Sequence, residues 1–354
     1  ITSSGASGME FFSRGGKNYL MVSNFLSDMD EQPDSETKSY LFEAAIMANT
    51  FHGIRRQSFK TQGAHGVEHD GDFVAIPNFY GPHVDVYSWK DDKLQLLQSL
   101  PSNGAAAVEF FHIESKIMLA VAEFNLGEVA VYELNATLEQ FVPKLKLPAP
   151  GVAALAAVTL PEDNNKVLLL TACYNSGEDG FHLESPIYLH NGSEFTHVQS
   201  IATVGAHDVE VLTTDDNRVF AFYANDKDEK SVEKKSELFE WTNGKMISVQ
   251  TIDTEGAHGA NFFRHDGLYF LAVANYGDRE TKEVVRWSPV YTLDLNIPRL
   301  ELVQQLYTIK ATDFEAFQLQ GRTFLTVANE KSHKGRMALT PVWEMITKPD
   351  NDEL

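Results

Sequence analysis

The chain has 354 residues, 43% of them hydrophobic and 11% aromatic, with a formal net charge of −21; this composition buries a core and is far from that of a disordered segment. The acidic excess argues against binding to nucleic-acid phosphates, which needs basic residues that displace counterions, and suits cationic ligands, metals or plain solubility. No apolar run approaches the roughly 20 residues of a membrane-crossing helix, so membrane insertion is not expected.

The chain starts at Ile1 rather than Met, which leaves a removed leader open. From Gly5 onward one phrase recurs. It reads GASGMEFFSRGGKNYLMVSNF from Gly5, GAHGVEHDGDFVAIPNF from Gly63, GAAAVEFFHIESKIMLAVAEF from Gly104 and GVAALAAVTLPEDNNKVLLLTACY from Gly151. It continues as GAHDVEVLTTDDNRVFAFYAND from Gly205, GAHGANFFRHDGLYFLAVANY from Gly256 and KATDFEAFQLQGRTFLTVANE from Lys310. Spacings of about 41 to 58 residues fall within or just above the range of propeller-blade repeats.

Within each copy a short apolar stretch, a turn such as His69-Asp70-Gly71-Asp72 or Arg264-His265-Asp266-Gly267, and a β-rich run ending near Asn describe a hairpin. A third strand with an aromatic near its end follows, as in VDVYSW (84–89), ELFEW (237–241) and VVRW (284–287). Asp91-Asp92 and Asn243-Gly244 then supply turns into a fourth. Four antiparallel strands repeated without helical periodicity predict an all-β, seven-bladed β-propeller as a single domain. The expected blades are 5–58, 59–100, 101–147, 148–202, 203–253, 254–308 and 309–354, the last completed by residues 1–4. Radial closure protects the sheet edges.

The phrase GAxDxE, the hairpin, and FLAVANY (270–276) or FLTVANE (324–330) resemble the epilepsy-associated repeat, EAR or EPTP. Seven copies of that repeat build a propeller, and the resemblance spans essentially the whole chain, with GVAALAAV of blade four departing from it. It implies a secreted or cell-surface recognition module that binds other proteins, in a family whose propellers often accompany leucine-rich or other modules absent here.

Residues repeated in most blades are first read as architecture. The sixth place of the phrase holds Glu10, Glu68, Glu109, Glu210 and Glu315, with Ala156 and Asn261 as exceptions. These acids are read as acceptors between blades, because buried carboxylates need hydrogen-bond partners. Asn24, Asn78, Asn225, Asn275 and Asn329 are read as a turn device at the end of the second strand.

The third place differs: it holds Ser7, His65, Ala106, Ala153, His207, His258 and Thr312. In a closed ring, His65, His207 and His258 approach one axis near the channel mouth. Three neutral imidazoles with an open fourth position suit catalytic zinc, while copper or iron(II) also accept nitrogen ligands. Asp208, Asp313 or a sixth-place Glu such as Glu210 would orient a ring or act as base. Two considerations stand against this. An innermost strand points its side chains largely toward neighbouring blades, and a histidine beside a Gly-Ala turn also pairs with a neighbouring carbonyl without any metal.

Glu123 and Cys173 replace the strand-end Asn in blades three and four, which adds candidates to that face. Cys173, the chain's only cysteine, is read either as a small buried hydrophobe or, beside the histidines, as a soft ligand or nucleophile. Phe25, Phe79, Phe124, Tyr174 and Tyr276 follow the strand-end position and suggest an apolar collar or plain packing between blades. The long loops are expected at Leu26 to Ser39, Ser176 to Ser185 and Lys227 to Ser236, the first acidic through Asp28, Asp30, Glu31, Asp34 and Glu36. His333-Lys334-Gly335-Arg336 and Arg55-Arg56 are too small for a nucleic-acid surface, and no GxSxG elbow, P-loop, GxGxxG or HExxH is present.

The chain closes with Asn351, Asp352, Glu353 and Leu354, similar to retrieval signals of the endoplasmic reticulum, which implies recognition by a retrieval receptor. Sequons at Asn135-Ala136-Thr137 and Asn191-Gly192-Ser193 agree with a glycoprotein of that lumen or a secreted one. The leading expectation is a lumenal metal-dependent enzyme with a small organic substrate, reaction class open among lyase, isomerase and oxidoreductase. The alternative is a non-catalytic module that binds protein or glycan through its loops, with calcium on channel carboxylates as a structural ion.

Overall fold

The computed structural model describes residues 1–25, 37–161, 163, 166–177, 179–278, 285–330 and 337–346. The acidic stretch 26–36, the basic motif at 333–336 and the C-terminal tetrapeptide 351–354 lie outside the described residues. Seven antiparallel meander sheets form a ring, with a single three-residue 3-10 turn at Phe124–Leu126 as the helical content of the described chain. Inner strands contact one another in order, and the last returns to the first, which closes the channel wall.

The inner strands are Ala6–Arg14, Glu68–Asp70, Ala105–Ile113, Val152–Leu160, Ala206–Thr213, Ala257–His265 and Ala311–Leu319. Second strands such as Val219–Asn225 and Leu268–Asn275 are buried along nearly their whole length, because they are covered by a blade on each side. The core is therefore a set of wedges between blades; one joins Val131, Leu155, Leu169 and Tyr188, another Phe220, Phe222, Leu271 and Tyr291. In blade seven, Val342–Glu344 pairs with Arg322–Asn329, and the N-terminal strand Thr2–Ser4 pairs antiparallel with Met337–Leu339. The ring is thus clasped by both ends of the described chain, and a propeller closed in this way leaves no long inner edge open.

Six phrases open on a glycine with positive φ, as at Gly205 (φ 55°), where a Cβ would lie 2.1 Å from the Lys227 carbonyl oxygen. In blade seven Lys310 takes the same left-handed conformation (φ 49°). The opening carbonyl accepts the N–H of the residue after the strand-end position in every blade, for example Phe25 to Gly5 at 2.8 Å and Tyr276 to Gly256 at 2.8 Å. Directly after the opening, each inner strand carries a β-bulge: the register slips between Ala6 and Gly8, Ala105 and Ala107, Val152 and Ala154, Ala206 and Asp208, Ala257 and Gly259, and Ala311 and Asp313. Blade two shows the same slip between the Ala64–Asn78 bridge and the Glu68–Ala75 pair. The extra residue is the third of the phrase, and a bulge re-aims its side chain out of the normal alternation. That resolves the objection from strand geometry, since the fourth and sixth places keep the pleat while the third is freed from it.

A polar stitch that sequence reading missed runs through four blades. The strand-end N–H of Asn24, Cys173, Asn225 and Asn275 donates to Ser39, Ser185, Ser236 and Ser288. Each serine in turn bonds a threonine of the fourth strand, Thr61, Thr203, Thr254 and Thr308, at 2.7–3.1 Å. Both sequon asparagines sit at turns between third and fourth strands and accept backbone N–H groups of their own turns, Asn135 from Thr137 and Asn191 from Ser193.

Candidate metal centre at the channel mouth

The axial cavity has a volume of 280 Å³ and is lined by inner-strand residues of all seven blades, His65, His207 and His258 among them. One ring nitrogen of each of these three lies no farther than 4.8 Å from those of the other two. Ring centroids are 3.5 Å apart for His207 and His258, 5.2 Å for His65 and His207, and 6.0 Å for His65 and His258. His207 and His258 are buried and His65 is partly exposed. The bulge accounts for the convergence, because it turns the third-place side chains of distant blades toward the axis.

Two of the rings are held from outside. His207 Nδ1 donates to the His258 carbonyl and His258 Nδ1 to the Thr312 carbonyl, each at 3.1 Å. A carbonyl only accepts, so Nδ1 carries the hydrogen in each ring, and in the neutral form the lone pair lies on Nε2. This is the support that metal-ligating histidines ordinarily receive. The carbonyl-bonded reading and the convergent reading therefore hold together rather than competing. In the neighbouring blades the same place is filled by hydroxyls: Thr312 Oγ1 donates to the Ala6 carbonyl at 3.0 Å and Ser7 Oγ to the Ala64 carbonyl at 2.6 Å.

Below the mouth lies a belt of acids. Glu109 accepts the Ala157 N–H at 3.0 Å and Glu315 the Phe11 N–H at 2.9 Å, while Asn261 takes the Ala316 N–H at 3.2 Å in the same place. One step higher, Asp208 accepts from Ala260 at 2.8 Å and Asp313 from Met9 at 3.0 Å. Each bond crosses to the next blade and occupies an inner-edge N–H that no strand pairs. Glu10, Glu68 and Glu210 line the same cavity.

These carboxyls retain a little accessible area through the cavity, yet protein surrounds them on every side, and burial is the main cause of their altered acidity. Glu109 and Glu315 are pushed up to about 8, in Glu109 with added repulsion from Asp208. Asp208 rises to about 6 by burial, its backbone hydrogen bonds restraining the rise. Glu10, Glu68, Glu210 and Asp313 stand well above the usual carboxylate range, from burial first and then mutual repulsion. Among the described residues, the histidine trio is the one group whose ligand atoms gather this closely; the carboxylates proposed as calcium ligands do not.

The two substitutions of the strand-end Asn fall away as site residues. Glu123 accepts the Asn103 N–H at 2.7 Å, the bond that Asn78 makes with Gln62 and Asn329 with Ile309. It is the asparagine device in another residue. Cys173 is fully buried in the wedge with Val152 and Tyr188 and does not line the cavity. Burial pushes its thiol up to about 11, so it is a small core residue and neither nucleophile nor soft ligand. The collar residues do surround the mouth: Phe25 meets His65 edge-on at 5.3 Å, Tyr174 meets His207 at 5.2 Å, and Tyr276 stacks on His258 at 5.3 Å.

No family model matches the chain. A thrombospondin-type laminin G domain and EAR repeat-containing protein of Mus musculus is 34% identical over 127 residues, 35% of this chain and 17% of that protein. The Homo sapiens protein of the same description is 33% identical over 96 residues, 27% of this chain and 14% of its own length. The chain therefore matches less than a fifth of the length of these relatives. Among solved structures, a Lactobacillus plantarum protein superposes with a TM-score of 0.65 over 92% of this chain and 96% of its own at 14% identity. A periplasmic gluconolactonase of Pseudomonas aeruginosa gives 0.61 over 95% and 87% at 14% identity, a likeness of fold. No helix among the described residues is long and apolar enough to cross a membrane. The partial sequence match and the seven-bladed ring together support an EAR/EPTP-type propeller.

Proposed function

We propose that His65, His207 and His258 hold a divalent transition metal at the channel mouth and that this centre acts on a small organic substrate. The observation that carries the reading is the convergence of three ring nitrogens from three blades to within 4.8 Å. The carbonyl bonds on two Nδ1 atoms support it. Zinc is the first candidate, since neutral imidazoles and an open position suit it, with copper or iron as substitutes. Such an ion supplies Lewis acidity toward a carbonyl or hydroxyl oxygen.

The chain's own residues divide the proton work. Asp208, raised to about 6 and fixed through its bond to Ala260, is largely ionised at neutral pH and takes a proton. Glu210, held protonated by burial and its acidic neighbours, is the group proposed to give one. The gluconolactonase among the fold relatives makes small cyclic esters the first substrates to screen. The two sequons favour a protein of the secretory pathway.

A second reading, a non-catalytic module binding protein or glycan partners through its loops, is favoured by the partial match to large EAR-repeat proteins. Elemental analysis after zinc loading and desalting separates the two. The expected result is about one transition metal per chain, lost in His207→Ala while circular dichroism keeps the β signature. A wild-type protein without bound metal, or a variant that keeps it, overturns the enzyme reading.

A further inference from the structure

The residue after the strand-end position is fixed at the mouth in all seven blades by its N–H bond to the phrase-opening carbonyl. Its identity splits the mouth in two. Blades one to four present Phe25, Phe79, Phe124 and Tyr174, all partly exposed, whereas blades five to seven carry Asp226, Tyr276 and Glu330, all buried. The second half is sealed by polar contacts: the Tyr276 hydroxyl donates to Glu330 at 2.6 Å, and Lys310 Nζ lies 4.8 Å above the Tyr276 ring.

The first half is an arc of rings. Tyr80 and Phe25 have centroids 5.2 Å apart, Phe25 and Phe79 6.3 Å, and Phe79 and Phe124 5.6 Å. Phe25 and Phe79 also reach His65, at 5.3 and 6.2 Å. Tyr80 is 37% exposed, which makes it a surface that a ligand can cover rather than core packing alone. A Cβ on Gly63 would lie 2.5 Å from Tyr80 Cδ2, so the phrase-opening glycine is what lets that ring lie against the mouth.

Charge limits the ligand further. The cavity beneath the trio is walled by acids such as Glu10, Glu68 and Asp313, and no Lys or Arg lines it. An anionic head group would therefore meet no Lys or Arg side chain in the cavity to pair with.

We infer that the site selects a ligand with an aromatic or similarly planar apolar ring joined to an uncharged donor, the donor at the histidine trio and the ring on Phe25, Phe79 and Tyr80. The inference rests on the metal reading above and adds the chemistry and direction of what binds there. Stacked or edge-on rings at these separations contribute beyond simple burial. Phe79 and Phe124 also pack on the core wedge between blades, so Tyr80 and Phe25 are the positions to test.

The test uses cobalt(II)-loaded protein, whose visible ligand-field bands report exchange of the open position, titrated with imidazole, 4-phenylimidazole and phenylacetate. The expected result is 4-phenylimidazole binding about tenfold tighter than imidazole, with phenylacetate weakest. In Tyr80→Ala and in Phe25→Leu the ratio of the two imidazole constants should fall toward about two, with cobalt stoichiometry confirming a folded site. Equal binding of the two imidazoles by the wild type, a ratio unaltered in both variants, or phenylacetate as the tightest ligand overturns the inference while leaving the metal centre in place. Absence of the cobalt spectrum overturns the metal reading and this inference with it.

Discussion

The mouth of the channel and the belt below it are built from the same inner strands, three residues apart, yet they behave differently. At the sixth place five blades carry Glu, and the bonds formed by Glu109 and Glu315 are of one kind, an N–H of the next blade donating to the carboxylate. At the third place the blades carry Ser, His, Ala or Thr, and the side chains gather on the axis or tie down a neighbouring carbonyl. Repetition marks what every blade needs in order to dock. Departure from repetition, at a position that bulging has released from the pleat, marks where chemistry can be placed.

That contrast is broken most directly by removing a belt residue. Glu315→Ala leaves the partly buried Phe11 N–H without its acceptor at the junction where blade seven meets blade one, and should cost about 1–3 kcal/mol in urea unfolding. Glu315→Gln keeps an acceptor oxygen in place and should recover most of the loss. An alanine variant as stable as wild type would show that the belt does not hold the blades together.

The second effect is in pH. Glu109 and Glu315 go from 4.5 to about 8, and Asp208 from 3.8 to about 6. Each binds its proton more tightly folded than unfolded, so folding takes up protons across that interval and stability declines as pH rises from about 4 to about 8. Metal-free protein should therefore unfold at higher urea concentration at pH 5.5 than at pH 8.5, with a shallower decline in Glu109→Gln. A flat or rising profile would count against the belt being buried and uncompensated.

The smallest effect separates Cys173 from the mouth. In native protein its thiol should react with a disulfide reagent only as fast as the blade wedge opens, with or without zinc, and Cys173→Ala should keep full metal stoichiometry. Rapid labelling that zinc suppresses would place the thiol back at the site.

The propeller was legible because its signal is redundant: the phrase from Gly5, Gly63 and the later openings repeats a hairpin that only neighbouring copies can bury. The histidine trio was legible for the same reason, since alignment of the copies puts His65, His207 and His258 in one place. What stayed hidden depends on single residues of register. No composition announces a bulge whose extra residue is Ser in one blade and Ala in another, and the strand rule without it argued against convergence. Glu123 stood out as an exception until its bond to Asn103 showed it doing the work of Asn. The Ser39–Thr61 type of pair was invisible because serine and threonine are common in every strand and turn of the chain. Blade four, the poorest match to the phrase, folds like the rest, because burial of Leu168 to Leu170 and of Ala154 to Ala156 needs only apolar residues of suitable size.

The slip beside each phrase opening has one further consequence. A substitution within regular alternation must satisfy whichever face it points to, and a shift of register inverts a whole strand. The bulged residue stands outside that alternation, so each blade offers one socket whose side chain differs from blade to blade, as Ser7, Ala106 and His207 do, while the fourth and sixth places keep the pleat. Seven such sockets encircle a single axis. The scaffold thereby works as a rigid coupling ring with one variable insert per blade, and His at Ala153, which also lines the cavity, is a position at which to try a differently arranged centre.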